Sequence, residues 1–429
     1  MIPSEWQEKP LREISLMHGR IGWQGLTQAE FTSNAEDPFL ITGVDFRDGG
    51  IDWDTAYHVS HERYDVAPQI QLRSGDVLMT KDGTIGKMLY VEHIPYPGLA
   101  TLNSHLLVLR PIHNSYIPSF LFYQMLSRRF SEYIEQNKSG STFFGLSQEA
   151  TGRYMTLLPP LAEQEAIAAA LSDADALIEA LEQLIAKKRQ IKQGAMQELL
   201  TGKRRLPGFF SHAMSKTEIG DFPSDWSIVS LGFIVDQKRR IRYGIVQPGI
   251  FYPNGRYMIR GQDYSEAKGW AAPEHVFRVS PLIEEKYRNA RVREGDLIMT
   301  IVGYCGHVEM VPSWLDGANL TQTTARIAID SARANPIFCK YTLQSQAVRG
   351  QVVNFLKGAA QPGLNCGDVE QFLVPLPPIK EQTAIATILS DMDADIVALE
   401  KKLAKARQVK QGMMQELLTG KTRLVCAIR

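Results

Sequence analysis

Leu158-Pro159-Pro160-Leu161-Ala162-Glu163-Gln164 returns 218 residues later as Leu376-Pro377-Pro378-Ile379-Lys380-Glu381-Gln382. The correspondence continues without a gap. Leu171-Ser172-Asp173-Ala174-Asp175-Ala176 is answered by Leu389-Ser390-Asp391-Met392-Asp393-Ala394, and Gln193–Lys203 (QGAMQELLTGK) by Gln411–Lys421 (QGMMQELLTGK). About two positions in three between 158 and 206 are identical to their partners. An internal repeat of this strength decides the architecture before any single residue does.

Each copy reads as a long helix. The prolines suit a helix start. Leu171, Ala174, Ile178, Leu181 and Ile185 are spaced three and four apart, as are Leu389, Met392, Ile396, Leu399 and Leu403, the seam of a coiled coil. Gly202 and Gly420 stand where C-cap glycines end helices. From Leu161 to Leu200 the rise is roughly 60 Å. Each helix is acidic first (Glu163, Asp173, Asp175, Glu179, Glu182; Glu381, Asp391, Asp393, Asp395, Glu400). Each is then basic (Lys187, Lys188, Arg189, Lys192; Lys401, Lys402, Lys405, Arg407, Lys410). The helix macrodipole favours that order on its own, but it does not explain two matched heptad patterns. Antiparallel pairing does, because it sets acidic halves against basic halves.

Outside the repeat the two halves are related loosely. Pro3-Ser4-Glu5-Trp6 answers Pro223-Ser224-Asp225-Trp226, and Ser74–Thr80 answers Glu294–Thr300. Gly83, Gly86, Gly140 and Gly145 answer Gly303, Gly306, Gly358 and Gly363. The positions that shape a fold recur, while the side chains between them change. Residues 71–90 and 292–310 alternate apolar runs with Gly-Asp and Asp-Gly turns and read as strands; short helices are expected around 118–134 and 336–355. The expected fold class is α+β: two similar mixed α/β domains joined by two long helices that form an antiparallel coiled coil. The domain boundaries follow: residues 1–155 and 207–375 as variable domains, 156–206 and 376–429 as helical spacers.

Composition narrows the class. At 429 residues, 44% hydrophobic and 22% charged, the chain is that of a multidomain globular protein. No apolar run approaches a membrane span, and the start lacks the form of a signal peptide. Four scattered cysteines (Cys305, Cys339, Cys366, Cys426) exclude a CxxC zinc site and point to a reducing, cytoplasmic location. Net charge is zero. Residues 1–155 carry 13 basic and 18 acidic side chains, residues 207–375 carry 18 and 16. A nucleic-acid binder of this composition has to focus its positive charge on one face or draw it from partners.

The double Pro-Pro-Leu/Ile-x-Glu-Gln motif before a heptad helix ending in Gln-Glu-Leu-Leu-Thr-Gly-Lys resembles the conserved regions of type I restriction–modification specificity subunits. The resemblance spans nearly the whole chain, although any conserved segment before Pro3 is nearly absent and the tail 425–429 has no visible role. It implies a DNA-binding subunit in which each variable domain reads one half of a bipartite, asymmetric site on double-stranded DNA. The helices would set the spacing and dock two methyltransferase (M) subunits, joined by motor–nuclease (R) subunits. No cofactor is expected in this chain; the methyl donor S-adenosylmethionine, ATP and Mg would lie on the partners. Two readers on one duplex face sit about a helical turn apart, roughly 34 Å, which such a spacer spans. The alternatives are a coiled-coil protein–protein adaptor and the specificity chain of a related methylating–cleaving system.

Base edges are read by forked donors and amides, phosphates by cations, hydroxyls and backbone N–H groups. In the first domain the glycine-rich turns supply Lys81, Thr84, Lys87, Lys138, Ser139 and Ser141, the last three resembling the Gly-Ser/Thr turn of these recognition domains. Arg20, Trp23, Gln24, Asn103 and His105 are further candidates. In the second, Lys238, Arg239, Arg240, Arg242 and Tyr243 form the densest basic run of either variable domain. Arg260, Tyr304, His307, Gln322, Thr323 and Lys357 occupy places matching or adjoining first-domain loops. An ordinary solvated turn is the competing reading for each.

Catalytic signatures are absent from the sequence. Leu158-Pro159-Pro160-Leu161 lacks the polar residue and ring of an amino-methyltransferase motif, and Gly420-Lys421-Thr422 follows Gln415 where a P-loop requires glycine. Glu284-Glu285-Lys286 has no matching aspartate for a nuclease, and the nine histidines show no metal spacing. Non-catalytic specificity subunit is the expectation.

Overall fold

The computed structural model describes residues 3–20, 26–47, 50–140, 144–210, 213–265, 269–358 and 362–424. The chain divides into two compact units, Met1–Glu182 with Lys401–Arg429, and Gln183–Glu400.

In the first unit Val77-Leu78-Met79-Thr80 is apolar and buried along its whole length, which requires a central strand covered on both faces. It pairs antiparallel with Leu106–Pro111 on one side and Met88–Tyr90 on the other, and Ser15–His18 forms the edge beyond Leu106–Pro111. Alternate residues face opposite ways. Val77, Met79, Leu107 and Leu109 pack on Leu121, Phe130 and Ile134 of helices Pro118–Met125 and Arg128–Asn137. Leu78, Leu106 and Val108 pack on Phe39 and Ile41 of a second four-stranded sheet. The short helices expected near 118–134 are divided at Ser127, which caps a new start by accepting from Phe130 N at 3.4 Å.

The second unit repeats the plan. Leu297–Thr300 lies between Thr324–Ile327 and Val308–Met310, with the short strand Arg242–Tyr243 at the edge. Helices Pro336–Gln344 and Gln346–Phe355 cover it, and Asn335 Oδ1 caps the first by accepting from Ile337 N at 2.9 Å and Phe338 N at 3.1 Å.

The repeated segments form helices Leu161–Leu199 and Ile379–Leu417, each 39 residues long. Within the second unit Lys188 meets Asp395 at 3.0 Å and Arg189 meets Glu400 at 2.6 Å, with Lys192 on Asp393. Within the first, Arg407 meets Glu182 at 2.6 Å, with Lys410 on Asp175. From Arg189–Glu400 to Lys192–Asp393, and from Asp175–Lys410 to Glu182–Arg407, one helix number rises as the other falls, so the pairing is antiparallel and joins acidic to basic halves. Such exposed pairs contribute only tenths of a kcal/mol each. The seam contributes more: Leu171, Ile185, Leu199, Leu389, Ile396 and Leu417 are buried.

The repeated Glu-Gln dipeptide docks each helix start. Gln164 accepts from Ile117 N at 2.9 Å and donates to Pro159 O at 2.8 Å; Gln382 accepts from Asn335 N at 2.8 Å and donates to Pro377 O at 2.7 Å. Glu163, 3% exposed, accepts from Arg423 Nε at 2.7 Å and Nη2 at 2.8 Å as well as from the Trp6 indole. Glu381 takes Arg205 Nε at 2.6 Å and the Trp226 indole at 3.2 Å. Gly202 and Gly420 end the helices at φ +67° and +72°. A Cβ there would meet Pro223 at 2.4 Å in one and Pro3 at 2.6 Å in the other.

Candidate nucleic-acid interface

Three loops gather at the end of the first unit's central strand. Lys81 N donates to His105 O at 3.0 Å, and Leu146 N donates to Lys81 O at 2.7 Å, so the segments around 81–87, 103–105 and 138–146 are joined through backbone. Gly86 N returns to Thr80 O at 2.9 Å and Lys87 N to Thr80 Oγ1 at 3.0 Å, which folds Lys81–Lys87 tightly. Ser139 and Gly145 exchange both backbone hydrogen bonds at 2.9 Å. Thr84, Lys87 and Ser139 are exposed; Lys81 and Lys138 are half-buried. Lys138 Nζ reaches Glu135 at 2.7 Å and lies 5.1 Å from the Phe144 ring. Asn103 shapes its own turn by accepting from Ser104 N at 2.6 Å, and the exposed His105 ring pairs with Asp82.

The second unit builds the same scaffold from different side chains. Ile301 N donates to Thr323 O at 2.8 Å, Leu364 N to Ile301 O at 2.8 Å, and Lys357 and Gly363 exchange hydrogen bonds at 3.0 and 2.9 Å. Tyr304, 95% exposed, stands at the loop tip between Gly303 and Gly306, both at positive φ. Gln322 is exposed, and the Thr323 hydroxyl is shared with Thr321 at 2.7 Å. Lys357 is exposed, with Nζ held by Asp368 at 2.7 Å.

Four of the candidate residues are engaged within the fold. Arg20 is 4% exposed, its Nε on Leu102 O at 2.8 Å and Nη2 on Thr101 at 3.1 Å, and burial pushes its pKa down to about 10. Arg239 forks onto buried Asp296, Nη1 at 2.8 Å, as Arg110 forks onto Asp76 in the first unit at 2.7 and 2.6 Å. Arg260 closes its own turn on Asp263 at 2.7 Å. The His307 ring stacks inward on Tyr264 at 5.1 Å, and burial lowers its proton affinity. Trp23, Gln24 and Ser141 lie outside the described residues.

Lys238, Arg240, Arg242 and Tyr243 are exposed but occupy another part of the unit. Arg239 and Asp296 mark the end of strand Leu297–Thr300 opposite the Ile301–Gly306 loop. From there the segment follows the sheet edge: Arg242 pairs with Arg326, Tyr243 with Ala325, and Gly244 N donates to Thr321 O at 3.1 Å. Beside Lys238 and Arg240 the sequence reading missed Arg288, Arg291, Arg293 and Arg326, which line a cleft of about 600 Å³ with them. The signal in the sequence for Arg288, Arg291 and Arg293 was a local excess of arginine, and Arg326 had none.

Among the described residues no cluster of His, Cys, Asp or Glu could hold a metal ion, and no helix is long and apolar enough to cross a membrane. Comparison with known proteins gives one family. Its sequence profile, Type I restriction modification DNA specificity domain, matches residues 3–193 and again 223–408. The EcoBI type I restriction enzyme specificity subunit of Escherichia coli is 28% identical over 353 residues, 80% of this chain and 72% of that one. The MjaVIII specificity subunit of Methanocaldococcus jannaschii is 24% identical over 365 residues, covering 83% and 81%. Among solved structures, the S subunit of a type I restriction–modification system from M. genitalium aligns over 97% of this chain and 96% of its own with a TM-score of 0.59 at 13% identity, a likeness of fold.

Proposed function

The chain belongs to the type I restriction–modification DNA specificity family, and on that premise we propose that each unit reads one half of a bipartite duplex site through its loop end. The observation that carries this is the repetition of one backbone scaffold with different side chains on it. Lys81, Thr84, Lys87 and Ser139 stand in the first unit where Ile301, Tyr304, His307 and Lys357 stand in the second. One scaffold that presents Lys81, Thr84, Lys87 and Ser139 in one unit and the exposed Tyr304 and Lys357 in the other reads two different half-sites.

The long helices in this reading fix the number of base pairs between the halves and dock two methyltransferase subunits, to which motor–nuclease subunits add. Leu184 and Ile191, seven residues apart on the first helix and 40% and 50% exposed, give a partner helix an apolar stripe to cover. The chain itself contributes no catalytic step; S-adenosylmethionine, ATP and Mg belong to the partners.

The test is exchange of residues 1–155 for those of another family member, followed by methylome sequencing of cells expressing the complex. One half of the methylated sequence is expected to change and the other to persist. If both halves change, or neither, one unit does not read one half-site.

A further inference from the structure

The arginine cleft of the second unit lies apart from the reading loops, and its charge is not neutralised. Arg291 is paired with Glu284 and Glu285, Arg288 with Glu285, and Arg239 with Asp296. Lys238, Arg240, Arg242, Arg293 and Arg326 have no carboxylate partner among the described residues. One acidic side chain, Asp316, lines the cleft. Placing five uncompensated cations around one hollow is costly by mutual repulsion, so the arrangement stabilises the fold least when the hollow is empty.

Arg326 is the second indication. It is 3% exposed, with Nη1 on Asn289 O at 2.8 Å and Arg291 O at 2.7 Å and Nη2 on Arg240 O at 3.1 Å. Its Nε is buried without a hydrogen-bond partner. Burial, and then the neighbouring Arg239, pushes its pKa down to about 10. It remains charged, and an anion in the cleft offsets the repulsion between it and its cationic neighbours.

From these observations we infer that the cleft is a phosphodiester clamp, holding the duplex backbone at a place the reading loops do not reach. The inference rests on the DNA-reading function proposed above. A continuous path supports this occupant over a small anion: from Arg240 the exposed Arg242 and Tyr243 run along the sheet edge to the Thr321–Thr323 turn of the reading end. Among its described residues the first unit has no equivalent cluster of unpaired cations. Its edge strand is Ser15-Leu16-Met17-His18, and Pro68, Gln71 and Val108 stand where the second unit has Arg288, Arg291 and Arg326. Arg293 has a counterpart in Arg73, and the place that Arg239 and Arg326 share is filled in the first unit by one arginine, Arg110, held on Asp76, Gln69 O and Gln71 O. The chain therefore grips its two half-sites unequally, with most non-specific ionic contact at the half read by the second unit.

The test is the salt dependence of binding of the full-length chain to a mixed-sequence duplex of about 40 base pairs, because phosphate contacts are sequence-independent and each contributes about 0.9 to the slope of log K against log salt. Lys238→Ala/Arg240→Ala/Arg293→Ala removes three exposed cations that hold no carboxylate, and is expected to flatten the slope by about 2 to 3. Arg73→Ala, the matching position of the first unit, is expected to leave it unchanged. A triple variant that keeps the wild-type slope overturns the clamp alone. Equal flattening by Arg73→Ala overturns the asymmetry, and a wild-type chain that binds no mixed-sequence duplex overturns the clamp, whereas the reading function stands or falls by the domain exchange described above.

Discussion

Trp6 donates its indole N–H to Glu163 at 3.2 Å across 157 residues of sequence. Arg423 reaches the same carboxylate from the far side of the repeat. Removing the carboxylate leaves a guanidinium and an indole N–H facing a buried, emptied position. Glu163→Ala is expected to destabilise the first unit by about 3 kcal/mol, and Glu381→Ala the second by a similar amount. Urea unfolding followed by hydrogen exchange of each unit checks this; loss spread equally over both units in either variant contradicts it.

Acid acts on the same contact. Burial alone would raise the Glu163 pKa, but the hydrogen bonds from Arg423 and Trp6 outweigh it and hold the carboxyl below its ordinary 4.5. A depressed folded value means that the stabilisation is fully present above pH 4.5 and is lost as pH falls through the folded pKa. Unfolding free energy measured from pH 6 down to pH 3 is expected to fall less steeply in Glu163→Gln than in the wild type. Parallel curves would exclude Glu163 as a source of the acid sensitivity.

Gly420→Ala and Gly208→Ala separate backbone strain from crowding. Both glycines have positive φ, +72° and +91°, but only Gly420 has a neighbour, Pro3 Cγ at 2.6 Å, whereas nothing lies within 4 Å of a Cβ at Gly208. Gly208→Ala is expected to cost about 1 kcal/mol and Gly420→Ala more than about 2 kcal/mol. Equal costs in chemical denaturation would show that Pro3 yields freely.

Tyr304→Ala removes a ring that is 95% exposed and rests on no core, so the fold is expected to survive intact. Stacking of a base on an aromatic ring is worth about 1–3 kcal/mol, so affinity for the cognate duplex is expected to drop about 5- to 150-fold. Unchanged affinity in a fluorescence-anisotropy titration would remove Tyr304 from the interface.

The connector helices were legible because their signals are local. The heptads from Leu171 to Ile185, the prolines before Glu163 and the closing Gly202 each act within a few residues. The turns at the end of the central strand were legible for a similar reason, since Gly83, Gly86 and Gly145 mark turns whatever surrounds them. Which cations face solvent was not. Arg239 and Arg240 are neighbours in a basic run, yet one forks onto Asp296, 57 residues away, and the other stays exposed. Arg20 and His307 go inward because Leu102 and Tyr264 receive them. The cleft arginines come from separated segments, and no spacing rule assembles Arg288, Arg293 and Arg326.

The division of the chain also sets an order of assembly. Every residue of the second unit, Gln183–Glu400, is synthesised before Lys401, while the first unit's core needs Leu417 and Leu418 against Trp6, Phe120 and Leu171. The unit encoded first is thus completed last, and its unpaired apolar surface stays open on the ribosome while some 220 intervening residues are made. A premature stop after Glu400 leaves the second unit whole and takes from the first its Arg423 clamp, so nascent-chain truncations should disable the half-site reader at the opposite end of the gene from the lesion.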